Sequence, residues 1–237
     1  MTVVLGIDSA TADAVVAVTD AGEPVREVAV APADGRPRHS ELLLTEIEES
    51  VSAAGGWERV ERIAVGAGPG SFTGLRIGIA TARALAQARE LPLAPVSSLA
   101  ALARGIGEHP DAAGRNLLPV LDARRGQVFA SLHEPAGEPV WGPIVADPGE
   151  LAERIAGQTP VLAAGDGALG FAAELVAAGA AVAPPGDAVH RIGGRHICAL
   201  GAVADPVSPT QVQPVYLRVP DAKRWLDRDK RDFGSAE

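Results

Sequence analysis

The sequence is poor in the residues on which several kinds of function depend. Aromatic side chains make up 3% of the 237 residues, too few for the stacking platforms that grip single-stranded nucleic acid. Cys198 is the one cysteine, so no disulfide can form within the chain, and no charged n-region with an apolar run follows Met1-Thr2. Both features predict a cytoplasmic protein. Positive charge is scarce: 21 Lys and Arg against 30 Asp and Glu leave a formal charge of −9. Such a surface repels phosphate backbones, so autonomous RNA or DNA binding is disfavoured, and any nucleic acid contact needs a local basic patch or a partner that supplies one. The weakly polar stretch 161–185 is broken by Asp166, Glu174 and several glycines, which argues against a membrane span.

Small aliphatic residues are abundant, with 47% hydrophobic content and 27 glycines. They predict a globular core built from Ala, Val and Leu. Apolar runs and turn residues place strands at 3–8, 14–18 and 25–30, a helix at 38–54 ended by Gly55-Gly56, a strand at 62–66 and a helix ending near Gln87. A short helix at 97–104 leads to a polar link at 105–115. Beyond it the pattern recurs: strands at 117–122, 127–133 and 139–145, a helix at 148–156, a strand at 160–164 and a helix at 168–178. Two copies of a strand-strand-strand-helix-strand-helix unit predict a duplicated α/β fold with a cleft between its halves. The expected divisions are 1–104, 105–204 with a helix at 190–204, and an extended segment with a charged tail at 205–237.

The most specified stretch is Gly68-Pro69-Gly70-Ser71-Phe72-Thr73-Gly74-Leu75-Arg76-Ile77-Gly78-Ile79-Ala80, a glycine-rich turn that feeds a helix. Such a turn offers free N–H groups to an anion, but a P-loop needs Lys and then Ser or Thr after its last glycine. Here Leu75 and Arg76 follow Gly74. The small residues Gly70, Gly74, Gly78, Ala82 and Ala86 recur every four positions, and Gly78 costs about 1 kcal/mol against Ala inside a helix. That spacing favours a flat face for close packing on another helix, with anion binding the lesser alternative.

This stretch, the opening LGIDSATADAVVAV, the later LPVLDARRGQVFASL and the PVYLR near the end together resemble the TsaB family of bacterial tRNA threonylcarbamoyladenosine (t6A) biosynthesis. The resemblance reaches to about Arg218 and implies the fold of actin, sugar kinases and the Hsp70 ATPase (ASKHA, RNase H-like). It also implies a role: a non-catalytic dimerization subunit that pairs with a TsaD-type catalytic paralogue and a TsaE-type ATPase. That complex places threonylcarbamoyl on N6 of adenosine 37 in tRNAs that read ANN codons. The expected partner surface comprises Gly70, Phe72, Gly74, Leu75, Gly78, Ala82, Leu43 and Ile47, which should pair with itself as a homodimer when the chain is alone.

The catalytic paralogue carries a His-x-Glu-x-His pattern that supplies two imidazoles to one metal. The matching place here reads His39-Ser40-Glu41-Leu42-Leu43, and leucine has no lone pair to donate, so no metal site is expected. Asp8, Ser9 and Thr11 keep the character of the superfamily's first phosphate turn. The second turn carries Arg124-Arg125 where small residues are usual. No cofactor is required on this reading, and only weak ATP or ADP binding with Mg at a partner interface stays open. The alternative function is a nucleotide-dependent kinase or ATPase of the same fold. Cys198, between Ile197 and Ala199, is expected to be a buried small hydrophobe.

Overall fold

Why the strands come in two sets follows from where the apolar runs pair. The computed structural model describes residues 2–32, 37–158 and 160–218; the charged tail 221–237 lies outside them. The first sheet has the order β3-β2-β1-β4-β5, from Val3–Asp8 (β1), Ala14–Asp20 (β2), Glu23–Val30 (β3), Arg62–Gly66 (β4) and Leu93–Val96 (β5). β1 pairs antiparallel with β2 and parallel with β4. The second sheet, β10-β9-β6-β7-β8, repeats this arrangement with Asn116–Arg124 (β6), Gln127–His133 (β7), Pro139–Ala146 (β8), Val161–Ala164 (β9) and Ala181–Val182 (β10). β6 again pairs antiparallel with the next strand and parallel with the fourth. The duplicated α/β fold is therefore present.

Helices α1 (His39–Ala53) and α2 (Phe72–Arg89) pack on one face of the first sheet, and α4 (Pro148–Ile155), α5 (Asp166–Gly170) and α6 (Ala172–Ala177) belong to the outer side of the second. Two further helices occupy the middle. The expected division at 104/105 falls within the first of them. α3 (Ser98–Gly107) follows the first sheet in sequence yet packs on β6, β7 and β9. α7 (Gly194–Val203) follows the second sheet yet packs on β1, β2 and β4. Each half thus lends a helix to the other, and α3 and α7 touch.

Composition explains why these two helices can be central. Leu99, Leu102 and Ile106 of α3 are fully buried, each contributing roughly 1.5–3 kcal/mol by leaving water. α7 approaches its sheet closely because Gly194 meets Ala17 and Gly201 meets Ala64, where a Cβ would overlap the neighbour. Alternate residues of β6 divide the interior: Leu117 and Leu121 join the central core, while Leu118 and Val120 face the outer helices. β5 was not expected, because Pro92 and Pro95 interrupt its run. At the sheet's end Pro95 is tolerated, since an edge strand can lack a ladder N–H.

Candidate functional site: an arginine-lined cleft between the halves

The glycine-rich stretch is fixed by the β1–β2 turn of its own chain. Ser71 caps α2 by accepting from the Gly74 N–H at 3.3 Å, while its own N–H donates to the Ala10 carbonyl at 2.6 Å. Ser9 Oγ donates to the Gly74 carbonyl at 2.8 Å. A Cβ on Gly74 would overlap the Ser9 carbonyl oxygen, and one on Gly78 would overlap Ser9 Oγ. Gly70 stands equally close to Ala10. The every-fourth-residue small side chains therefore form a packing face, but their partner is a turn of this chain.

Most residues of the expected partner surface face inward in this chain. Gly74, Leu75, Gly78 and Ala82 are buried on α2, and Leu43 and Ile47 are buried on α1. Gly70 is half-buried against Ala10. Phe72 alone of the eight is exposed, at 36%. The sequence pattern correctly marks a face that must touch something; it does not distinguish a second chain from a neighbouring turn.

Asp8 and Ser9 are likewise enclosed. Asp8 is 0% exposed, with Oδ1 accepting from the Ala10 N–H at 2.8 Å and Oδ2 paired with Ser98 Oγ at 2.6 Å. A Cβ at Gly66 would collide with this carboxyl, so β4 is shaped to admit it. Burial pushes its pKa up to about 6, against the opposing hydrogen bonds of Ser98 and Ala10. Both oxygens are occupied and neither faces the cleft. The Mg-nucleotide chemistry implied by the fold does not fit Asp8 in this arrangement, because it offers no free carboxylate oxygen to a cation, and the turn's other carboxylate, Asp13, is paired with Arg191 at 3.3 Å. Of the three expected nucleotide contacts only Thr11 lines open space.

That space is a cleft of about 780 Å³ between the two turns. One wall is the β1–β2 turn with the start of α2; the other is the β6–β7 turn with the start of α5. A third wall comes from the chain's PVYLR segment. The Val215 N–H donates to the Ala67 carbonyl at 2.8 Å, and Arg218 Nη1 donates to the Ala123 carbonyl at 2.8 Å, so the segment ties the glycine loop to the opposite half. Tyr216 lies 5.0 Å from the Phe72 ring, centroid to centroid. The Arg76 guanidinium sits 3.9 Å above Phe72, and its Nε donates to Tyr216 Oη at 3.2 Å. Arg124 and Arg125 line the far side, beside Asp122 and Asp166. Asp122 pairs with Arg124 at 3.1 Å. Asp166 Oδ1 accepts from the N–H groups of Asp122 and Gly167, both at 2.9 Å, and burial raises its pKa, with the Asp122 charge adding to the rise. Gly165-Asp166-Gly167 is the expected strand-to-helix turn.

Sequence reasoning missed Arg76, Tyr216 and Arg218 as site residues. The signal was available in the PVYLR and GLR letters, but nothing in one sequence brings position 216 beside position 72.

The place of the metal motif is closed as well. Leu43 is buried, and His39 Nε2 lies 3.1 Å from the Asp13 carbonyl. Among the described residues no group of three His, Cys, Asp or Glu side chains is disposed to hold a metal. Cys198 is buried within α7 with its thiol pushed up to about 12 by burial, and it donates to the Val4 carbonyl at 3.4 Å. Among the described residues no helix is long and apolar enough to cross a membrane.

Comparison with known proteins gives this architecture a family. Residues 25–183 match the family model described as TsaD: tRNA N6-adenosine threonylcarbamoyltransferase. The chain belongs to that family. Its relatives named tRNA threonylcarbamoyladenosine biosynthesis protein TsaB include one from Escherichia coli, 32% identical over 139 residues and 58% of each chain. Another, from Bacillus subtilis, is 44% identical over 75 residues, 32% of this chain and 31% of the relative. The matches thus span about a third to three-fifths of those relatives' length. Among solved structures, YeaZ from Pseudomonas aeruginosa superposes with a TM-score of 0.75 at 25% identity, covering 92% of this chain and all of that one. A second P. aeruginosa structure, described as similar to peptidase YeaZ, gives 0.74 at 27% identity, with the same coverage. The ROK hexokinase of Thermus thermophilus, at 16% identity and a TM-score of 0.51 over 85% of this chain and 99% of its own, shares the fold alone. The family's fold is thus the one that the duplicated sequence pattern predicts.

Proposed function

We propose that this chain is a non-catalytic scaffold in tRNA threonylcarbamoylation, pairing with a TsaD-type catalytic paralogue and completed by a TsaE-type ATPase. The observation that carries the non-catalytic part is Leu43. Where the catalytic pattern needs a second imidazole, this chain buries a leucine in its own core, and His39 is turned onto a backbone carbonyl. The partner surface on this reading is the outward side of α1 and α2, where Leu44 (60% exposed) and Phe72 are the large exposed apolar residues. Alone, the same side pairs two copies of the chain. The acidic chain leaves tRNA to its partners in the cytoplasm, and ATP or ADP with Mg belongs at the partner interface rather than at Asp8.

Co-purification with the organism's TsaD-type paralogue, scored for t6A formed on tRNA, tests this. Leu44→Asp with Phe72→Asp is expected to separate the two proteins on size exclusion and to remove t6A formation. Full modification without the chain, or an unchanged elution mass for the variant mixed with the paralogue, overturns the proposal. The kinase alternative loses ground with the enclosure of Asp8. It also predicts ATP turnover with Mg by the isolated chain, which calorimetry reads directly.

A further inference from the structure

The chain crosses between the bodies of its two sheets twice, and each crossing is tied down on both sides. At the first, Ser98 opens α3 with its N–H on the Gly68 carbonyl at 3.0 Å and its hydroxyl on Asp8 at 2.6 Å. From there α3 packs on the second sheet. At the second crossing, a short 3₁₀ turn at Ala188–His190 leads to α7, which packs on the first sheet. Here the attachments change sides between two adjacent residues. His190 Nδ1 accepts from the Gly165 N–H at 3.1 Å, and its Nε2 lies 3.1 Å from the Ala183 and Pro184 carbonyls, all beside the second sheet. Arg191 pairs at 3.3 Å with Asp13, in the β1–β2 turn of the first.

Charged residues continue this hold before and after the crossing. Asp187 lies 3.2 Å from His109 Nε2, just beyond α3. Because His109 Nδ1 accepts from the Asp111 N–H, Nε2 carries the proton that faces this carboxylate. Further on, Arg195 pairs with Glu27 of β3 at 3.4 Å and with Glu108, which caps α3, at 2.5 Å. One guanidinium thus joins a strand of the first sheet to the helix that packs on the second. Beneath it His196 is buried, with Nδ1 3.8 Å from Glu108. Its ring fits there because Gly105 of α3 has no Cβ; one would stand 3.3 Å from Nε2.

An isolated exposed ion pair contributes about 0–1 kcal/mol, but pairs that form a network at one joint act together. Rotation of one half against the other requires a few residues free to change their backbone angles. Between His190 and Arg191 no spare residue is left to absorb such a change.

We propose that residues 187–196 form a latch that fixes the angle between the two halves, with Arg191 and Arg195 as its working side chains. The latch belongs to this chain alone and stands or falls separately from the pairing described above.

Pulsed electron paramagnetic resonance on the full chain reads it, with spin labels at Thr11→Cys in the β1–β2 turn and Leu169→Cys on α5. The buried Cys198 takes no label, and dilution with unlabelled chain removes distances between copies. The parent is expected to give one narrow distance distribution. Arg191→Gln with Arg195→Gln should broaden it and shift its mean to longer separation. Arg26→Gln removes pairs with Glu46 and Glu49 within the first half and should leave the distribution unchanged. Asp13→Asn and Glu108→Gln, tested singly, give the same reading should the double variant not fold. A broad distribution in the parent, or an unchanged one in every latch variant, overturns the proposal. Equal broadening in Arg26→Gln also overturns it, in favour of a general loosening of the fold.

Discussion

Asp8→Asn isolates the energetic cost of an enclosed carboxyl. In the folded chain burial raises the Asp8 pKa from 3.8 to about 6. Below pH 3.8 the group is protonated in both folded and unfolded states and contributes no pH dependence. As pH rises toward 6, the unfolded chain releases its proton while the folded one retains it, so stability is lost through this window and the full loss stands above pH 6. Two pH units at about 1.4 kcal/mol each make the loss about 3 kcal/mol. Asparagine preserves both contacts: its oxygen can accept from the Ala10 N–H, and its amide can donate to Ser98 Oγ. It has no charge to bury. The measurement is urea unfolding of parent and variant, followed by far-ultraviolet circular dichroism from pH 4 to pH 7.5. Other titrating groups act on both proteins and cancel in the difference. The variant's stability relative to the parent should rise by about 3 kcal/mol across the range. A difference that stays flat with pH would refute the reasoning and return Asp8 to solvent or to a cation. Ser98→Ala gives a check of opposite kind, because it removes a hydrogen bond that lowers the pKa and should carry the loss to higher pH.

Gly74→Ala should destabilise by more than about 2 kcal/mol in the same assay, since its Cβ meets a backbone oxygen that cannot rotate away, and overpacking of this kind costs about 1–3 kcal/mol or more. Gly78→Ala should cost less, because the obstructing Ser9 hydroxyl can move. Leu43→His restores the letters of the metal motif without its geometry. It should cost roughly 2–4 kcal/mol for lost core packing and a buried imidazole, and equilibrium dialysis should find no stoichiometric zinc. Cys198 should resist thiol-specific reagents in the native protein and react only on unfolding, because a thiol with its pKa near 12 inside α7 supplies almost no thiolate.

Local periodicity made the first six elements of each half legible, and their repetition made the duplicated fold legible. What escaped was anything set by contacts distant in sequence. α3 reads as the end of the first half because it follows β5, yet Leu99, Leu102 and Ile106 join the core shared with β6. The spacing of Gly70, Gly74 and Gly78 announced close approach, but it could not say that the approaching group was Ser9 and Ala10, sixty or more positions away. Asp8 shows the same limit in another form. A strand-terminal aspartate before a small-residue turn has the letters of a phosphate site, and only the positions of Gly66 and Ser98 reveal that it is sealed. Likewise Arg124-Arg125 was visible as a departure from a small-residue loop, whereas its convergence with Arg76 and Arg218 required the third dimension.

These placements bear on one another at the start of α2. The inner face of the helix is fully used in holding the β1–β2 turn over Asp8, so a partner can meet only its outer side. Phe72 belongs to that side, being exposed, and it also carries the Arg76 guanidinium that borders the cleft. One ring therefore belongs both to the proposed partner surface and to the wall of the cleft. A partner seated on Phe72 would fix Arg76 and Tyr216 with it. The stacked Phe72-Arg76-Tyr216 group is thus the element through which a partner on the outer side of α2 would reach the cleft wall formed by the 214–218 segment.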